Sequence, residues 1–329
     1  MVKLKNMMAL PDRTLADADL ALEERAAASL PRGYFGMSSA ADCRRKNYLQ
    51  WTFADREIHN ADTLKRFDDG HRTEDLAIKR LRMAKGITIV EQGDDGRQIE
   101  VVDHDGHFIG HLDGKILGLR QAPKTWHVLE IKCTAEKNFK RFQKYKYELG
   151  EKEALRQWNH TYYIQQQLYM HYTKMTRSYM VVLTPGGRAW DSCRTDYSKE
   201  DALYEIERAG EIINNIRVLP AMEGNSLKAP PCLFCGFKAF CYENQLPKRH
   251  CRTCVWSRPV DEGMWHCDKH ETALSYREQM VGCDNQLFRP EYVKNATIND
   301  VGDEFIVYDL REGGQWTDEG HMSEKLNND

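Results

Sequence analysis

The sequence predicts an α/β (α+β) domain with a small Cys-rich appendage, and three observations carry that expectation. Hydrophobic spacing switches from the three-and-four step of a helix to strand alternation and back; Gly, Asp and Pro punctuate the alternating runs; and seven of the ten cysteines crowd into a short C-terminal stretch. The 329 residues, 41% hydrophobic, suffice for one large domain or a main domain plus a small one. Lys+Arg 47 against Asp+Glu 50 gives a formal net charge of -3, which excludes a generally cationic, histone-like binder, so any polyanion site has to be a local groove. No apolar run approaches the ~20 residues that span a bilayer, and MVKLKNMMALPDR has too short an apolar stretch for a secretory leader. The expectation is a cytoplasmic protein with no membrane partner.

A first helix is expected over about 14–28, rich in Ala, Leu and Glu and ending near Pro31 and Gly33. A second spans about 62–84 and stops before Gly86; on it Leu64, Phe67, His71, Glu74, Ile78 and Leu81 share one face, expected to point inward. Glu74 in such a stripe needs a partner or a metal. From 87 to 132 the pattern becomes strands, ITIVE, QIEVVD, HFIGHLDGKILGL and WHVLEIK, which read as an antiparallel meander. A basic aromatic stretch follows, then a long helix over about 151–175, the strand SYMVVLT, a short strand near 188–197 and a helix over about 199–218. Beyond Leu219 the chain is rich in Cys, Pro, Gly and aromatics, as in a segment held by metal, and a boundary is placed near Pro247, dividing 1–247 from 248–329. The terminal SEKLNND is polar and expected to be disordered.

In VLEIKCT, alternation puts Glu130 and Lys132 on one face and Leu129 and Ile131 on the other. A lone Glu-x-Lys is usually a solvated strand face. Upstream, however, GHLDGK places Asp113 near the end of a strand that should pair with the Glu130 strand across the turn holding Gln121, Ala122 and Pro123, so two carboxylates and a lysine converge. Asp113 before Gly114 also reads simply as a turn residue. The convergent set suits phosphodiester hydrolysis: Asp113, Glu130 and the Ile131 carbonyl offer oxygen ligands for Mg2+ or Mn2+, Lys132 can orient or activate water, and Glu74 can add a ligand.

This arrangement resembles the PD-(D/E)XK nuclease superfamily, and within it the RecB-like exonuclease branch. The resemblance implies a restriction-endonuclease-like core, a mixed central sheet flanked by helices. Asp113 takes the place of the motif aspartate, with Leu112 where a proline is usual, and Glu130 with Lys132 takes the Glu-x-Lys. Many RecB-like members carry a histidine four residues after a glycine; here Glu74 follows Gly70 at that spacing, as in lambda-type exonucleases, which leaves His71 without a role. In YYIQQQLYMHY, Gln165 and Tyr169 match a Gln-x-x-x-Tyr motif that contacts DNA beside the active site, although Tyr162, Leu168, Tyr169 and Tyr172 also suit an amphipathic core face. KNFKRFQKYKY interleaves Lys137, Lys140, Arg141, Lys144 and Lys146 with Phe139, Phe142, Tyr145 and Tyr147, the composition of a single-strand groove, or of a solvated helix face.

Cys232, Cys235 and Cys241 have the spacing C-x2-C-x5-C and lack a fourth ligand. The resemblance, to AddB-type and CRISPR-associated members, implies Cys43, in a Cys-x-x-x-x-Tyr setting ending at Tyr48, and a 4Fe-4S cluster stapling the N-terminal segment to the end of the nuclease core. A rival partition uses Cys232, Cys235, Cys251 and Cys254 as a C-x2-C-x15-C-x2-C zinc site. In the first partition Cys251, Cys254 and Cys267 remain for Zn2+, with Cys283 favoured as fourth ligand and His270 or His266 as alternatives. That Cys-rich stretch looks like the C-terminal extension of some phage exonucleases.

The function expected from the resemblance is a Mg2+/Mn2+-dependent deoxyribonuclease, an exonuclease acting on single-stranded DNA or duplex ends in recombination or DNA processing and leaving a 5′-phosphate and a 3′-hydroxyl. It would be phage-encoded, act in the bacterial host cytoplasm, and have DNA and a single-strand annealing or other recombination protein as partners. The alternatives are a non-catalytic, metal-stabilised DNA-binding scaffold and a CRISPR spacer-acquisition nuclease.

Overall fold

Asp12 opens the first helix, α1 (Arg13–Ala28), its carboxylate accepting the amides of Thr14 and Leu15. The computed structural model describes residues 12–55, 58–214, 228, 230–243 and 245–320. After β1 (Phe35–Gly36) and α2 (Arg44–Trp51) comes α3 (Ala61–Arg82), capped by the Asn60 side chain. The strands β2 (Thr88–Val90), β3 (Glu100–Asp103), β4 (Phe108–His111), β5 (Gly114–Leu117) and β6 (His127–Cys133) precede three helices, α4 (Glu136–Leu149), α5 (Ala154–Trp158) and α6 (His160–Thr173). Then follow β7 (Arg177–Leu183), β8 (Trp190–Asp196) and α7 (Lys199–Asn214). The C-terminal part holds α8 (Pro230–Leu233), α9 (Lys238–Tyr242) and two small three-stranded sheets, one of β9 (Ser257–Pro259), β10 (Trp265–Cys267) and β11 (Thr272–Leu274), the other of β12 (Ala296–Val301), β13 (Ile306–Leu310) and β14 (Gln315–Asp318).

The central sheet has the order β2-β5-β6-β7-β8, with β6 and β7 parallel and the other pairs antiparallel. Strand alternation divides β6 between two cores. Leu129 and Ile131 pack with Ala77, Ile78 and Leu81 of α3, whereas Val128 joins Phe142, Leu155 and Leu168 of α4, α5 and α6 on the other face. The sheet is thus sandwiched between helices, with β6 at its middle.

Several expectations are corrected here. HFIGHLDGKILGL is not one strand: it breaks at Leu112 and Asp113, because the Leu112 amide and carbonyl are taken by Ile99 O and the Gln98 side chain, at 3.0 and 3.1 Å. β4 therefore belongs to a separate sheet of order β1-β4-β3, and the meander is split between two sheets. The long helix over 151–175 is also two helices. Asn159 adopts extended backbone between them and its side chain accepts the Tyr162 amide, starting α6 afresh. The stripe on α3 points inward only in its second half; Phe67 is 46% exposed and His71 is exposed, because the sheet reaches only as far as Thr73 and Ala77. The residues of the expected helix beyond Asn214, and SEKLNND, lie outside the described residues. No described helix is long and apolar enough to cross a membrane.

Residues on both sides of Pro247 share one apolar cluster, in which Trp265, Leu274 and Tyr292 pack with Phe35, Tyr48 and Trp51. Arg252, 1% exposed, ties them together: its guanidinium donates to Gly33 O at 2.7 Å, Trp51 O at 2.8 Å and Gln279 Oε1 at 2.9 Å. The rings of Phe53 and Trp265 lie 4.1 and 4.7 Å from it. Tyr48 adds a hydrogen bond to Glu291 at 2.7 Å, and Tyr292 one to Thr52 at 2.6 Å.

Gly110 on β4 marks a close approach: a Cβ there would meet the Tyr169 ring at 2.4 Å and Met37 Sδ at 2.8 Å. Gly110→Ala is expected to destabilise the protein by about 1–3 kcal/mol through overpacking, read from the urea midpoint at unchanged slope, since both neighbours are buried with no room to retreat.

Candidate active site

The break at Asp113 creates the site. Gly114 is the first β5 residue to pair with β6, opposite Leu129, so the next β6 amide on that edge, Ile131 N–H, lacks a strand partner and donates instead to Asp113 Oδ2 at 2.6 Å. A backbone donor is thereby satisfied by a carboxylate, and Asp113 is fixed beside Glu130. Ile131, expected as a carbonyl ligand, contributes its amide here.

Glu130 is 1% exposed, and burying a carboxylate requires compensation. Lys132, on the same face two residues on, donates to Glu130 Oε1, which also accepts Gln165 Nε2 at 2.9 Å. Gln165 Nε2 lies 3.0 Å from Tyr169 Oη, and that hydroxyl donates to the His111 carbonyl at 2.9 Å. The α6 pair thus links Glu130 to the end of β4, just before Asp113. Glu130 Oε2 is buried and has no hydrogen-bond partner among the described residues. Glu74, half-buried at the rim of α3, shares a hydrogen bond with Asp113.

The electrostatics show three carboxyls competing for too little positive charge. Burial, then the Asp113 charge, pushes Glu130 up to about 8, against the pull of Lys132. Glu74 is pushed up to about 7 by burial and by Asp113. Burial raises Asp113 too, while Lys132 and the Ile131 amide act the other way. Burial acts to lower Lys132, but the Glu130 and Asp113 carboxylates outweigh it and hold the ammonium above its ordinary value. The donor set, hard oxygens with one unpartnered buried oxygen, fits Mg2+ or Mn2+. Among the described residues no group of three or more His, Cys, Asp or Glu stands in an arrangement that would hold a metal ion as it is; the carboxyls are held by Lys132, Gln165 and the Ile131 amide.

The structure brings Glu74, Asp113, Glu130, Lys132, Gln165 and Tyr169 together, but Gln165 and Tyr169, expected to contact DNA, are 3% and 2% exposed and border the carboxyls from within the core. Sequence reasoning missed Tyr162, whose ring lies 5.3 Å from Lys132 Nζ; the signal was there, since Tyr162 precedes Gln165 by three and Tyr169 by seven. On α4 the interleaved aromatics divide: Phe139 and Phe142 are buried, because a helical period turns them to the core, whereas Tyr145 is partly buried and Tyr147 is exposed. Lys137, Lys140, Arg141 and Lys144 are exposed. Lys140 pairs with Glu136 at 2.7 Å, Lys144 with Glu148 at 3.7 Å and Lys146 with Asp191 at 2.5 Å; among the described residues Lys137 and Arg141 form no ion pair.

Eight of the ten cysteines fall into two neighbourhoods, Cys133 and Cys193 standing apart on β6 and β8. Cys235 lies in the fields of Cys43, Cys241 and Lys46, and its sulfur accepts the Phe237 amide. Cys232 stands one turn away, its carbonyl accepting the Cys235 amide at 3.1 Å. Cys251 instead neighbours Cys254, Cys267 and Cys283.

No family model and no curated protein matches the sequence. Among solved structures the chain is similar to SSO0001, with 14% identity, 70% of this chain and 96% of that one covered, and a TM-score of 0.39. An alkaline exonuclease (LHK-Exo) from Laribacter hongkongensis is 17% identical over 58% of this chain and 90% of that one, with a TM-score of 0.38. A phage-related exonuclease from Haemophilus somnus 129PT is 14% identical over 53% and 78%, with a TM-score of 0.37. At values this low the reading of the site has to come from its own residues.

Raised carboxyl pKa values set a sign. The folded protein holds protons that the unfolded chain releases, so without divalent metal, stability should fall as pH rises from the ordinary carboxylate range to about 8. Thermal melting against pH checks this, and Glu74→Gln should flatten the fall between the ordinary range and about 7. Added Mn2+ should flatten it as well.

Proposed function

We propose that this chain is a Mg2+- or Mn2+-dependent deoxyribonuclease built on a PD-(D/E)XK-like core. The carrying observation is the unpartnered, buried Glu130 Oε2 beside Asp113, Glu74 and Lys132. Asp113 and Glu130 would hold the ion, with Glu74 as an outer ligand. When bound, the ion supplies Lewis-acid stabilisation of phosphate charge and acidifies a water.

Everything else is work for the chain's own groups. Lys132 neutralises Glu130 and presents a donor toward a phosphate oxygen or the attacking water. Gln165 holds Glu130 in its rotamer; Tyr169 holds Gln165 and the β4 end; the Ile131 amide holds Asp113. Lys137 and Arg141, exposed on α4 shortly after the Glu130 strand, suit phosphate contacts along the strand being cut. Dependence on ends, and single strands or duplex ends as substrate, come from the resemblance to RecB-like exonucleases. The same reading gives Cys43, Cys232, Cys235 and Cys241 to a 4Fe-4S cluster, supported by the proximity of Cys43, Cys235 and Cys241 and by the separate grouping of Cys251 and Cys254.

End-labelled single- and double-stranded DNA incubated with Mn2+ or with EDTA tests this. Asp113→Asn and Lys132→Met should each lower hydrolysis by about 10²–10³-fold or more with the circular-dichroism spectrum unchanged. Salt-sensitive binding by the wild type without any hydrolysis in Mn2+ would instead establish the non-catalytic scaffold. Replacing Lys137 and Arg141 together by Ala should weaken DNA binding across sequences and reduce the slope of log affinity against log salt by about 2.

A further inference from the structure

Far from the carboxylates in sequence, a cavity of ≈ 280 Å³ opens in the C-terminal part, and Cys251, Cys254, Cys267, His270 and Cys283 all line it. Three segments deliver them. A tight turn carries Cys251 and Cys254, whose amide donates back to Cys251 O at 3.0 Å; Cys267 ends β10 opposite Ser257 and Thr272; and Cys283 follows the turn at Val281, whose carbonyl lies 3.2 Å from Cys251 Sγ. Cys254 and Cys267 form the buried wall, while Cys251 and Cys283 are on the open side. Backbone N–H groups of Trp256 and Leu287 are directed at the Cys254 sulfur. Two amides converging on one sulfur suit a thiolate acceptor, which is the form that binds soft or borderline metals.

His270 Nε2 lies 3.7 Å from Cys283 Sγ. That spacing fits either two ligands of one ion or an N–H···S hydrogen bond from the histidine to a ligating sulfur. Four cysteines line the cavity and lie in one another's fields, Cys251 in those of Cys254, Cys267 and Cys283, and Cys254 in those of Cys267 and Cys283, so a complete set of four sulfurs stands there without His270, which favours the hydrogen bond.

We propose that Cys251, Cys254, Cys267 and Cys283 bind one Zn2+ as four thiolates, that His270 donates to Cys283 without ligating, and that the ion fixes the turn from which Arg252 reaches the N-terminal segment. Binding releases the thiol protons to solvent. The turn is two-sided: its cysteines face the cavity, whereas Arg252 between them faces Gly33 O and Trp51 O. Securing the cysteines therefore secures the guanidinium.

The full chain is assayed for metal by mass spectrometry and then reconstituted with Co2+. One zinc per chain is expected, with a thiolate-to-cobalt charge-transfer band of four-sulfur intensity. Cys283→Ser should lose about a quarter of that band or fail to retain the metal, and His270→Ala should keep it. Zinc-free protein, a three-sulfur band in the wild type, or loss of the metal in His270→Ala with retention in Cys283→Ser overturns the ligand set; the wild-type band counts the sulfurs even where a variant does not fold. Hydrogen exchange reads the clamp. Amides in 33–53 should exchange faster after EDTA and recover with Zn2+ but not with Mg2+, and unchanged exchange on zinc removal overturns the link through Arg252.

Discussion

Glu130 is a carboxylate placed in the middle of a sheet with almost no access to water, and the surroundings answer that single electrostatic problem. Lys132 must lie on the same face, which strand parity guarantees. α6 must present an amide side chain, which Gln165 does, and Tyr169 must hold that amide in place. Asp113 reaches the same pocket only because the preceding strand ends and the chain changes sheets at Leu112. The compensation is incomplete: Glu130 Oε2 is left unpartnered with two more carboxyls nearby, and the proposed divalent-ion site rests on that oxygen. A buried polar group left without a partner in this way is costly, which makes Glu130 Oε2 the place where a bound cation would be felt most.

The parts of this that were legible in the sequence were those fixed by local periodicity. Alternation in VLEIKCT gave the faces of Glu130, Lys132, Leu129 and Ile131, and the pairing of the Asp113 strand followed from the Pro-containing connection between Leu117 and His127. The rest depended on contacts remote in sequence. Nothing local in HFIGHLDGKILGL announces a change of sheet, since its apolar alternation continues through the break that Ile99 and Gln98 impose. Asn159 looked like an interior helix residue because the apolar pattern resumes behind it, yet its side chain competes with the backbone and restarts the helix. Two of the four α4 aromatics depart from the expectation for the converse reason: in a basic run the cations are conspicuous, but a 3.6-residue period sends Phe139 and Phe142 inward while Tyr147 stays exposed.

The C-terminal residues, compositionally unlike the rest, are fastened to the N-terminal ones by a buried cation among rings and by reciprocal tyrosine contacts across Thr52 and Glu291. The neutralising groups for Arg252 are carbonyl dipoles and a side-chain amide, so its position is set by donor geometry more than by charge pairing.

That guanidinium has a temporal consequence. Its acceptors on Gly33 and Trp51 are separated from it by 219 and 201 positions in the chain. During vectorial synthesis the helices and strands around Glu130 emerge and can pack long before Arg252 leaves the ribosome. The N-terminal segment can dock on the core at that stage, through β1 on β4 and through Arg208, which donates to the Ala40 and Asp42 carbonyls, and Arg252 adds its hydrogen bonds to Gly33 and Trp51 later. Formation of the central sheet and closure of the Arg252 contacts are therefore separate in time, the second sealing an N-terminal segment that the first has already placed.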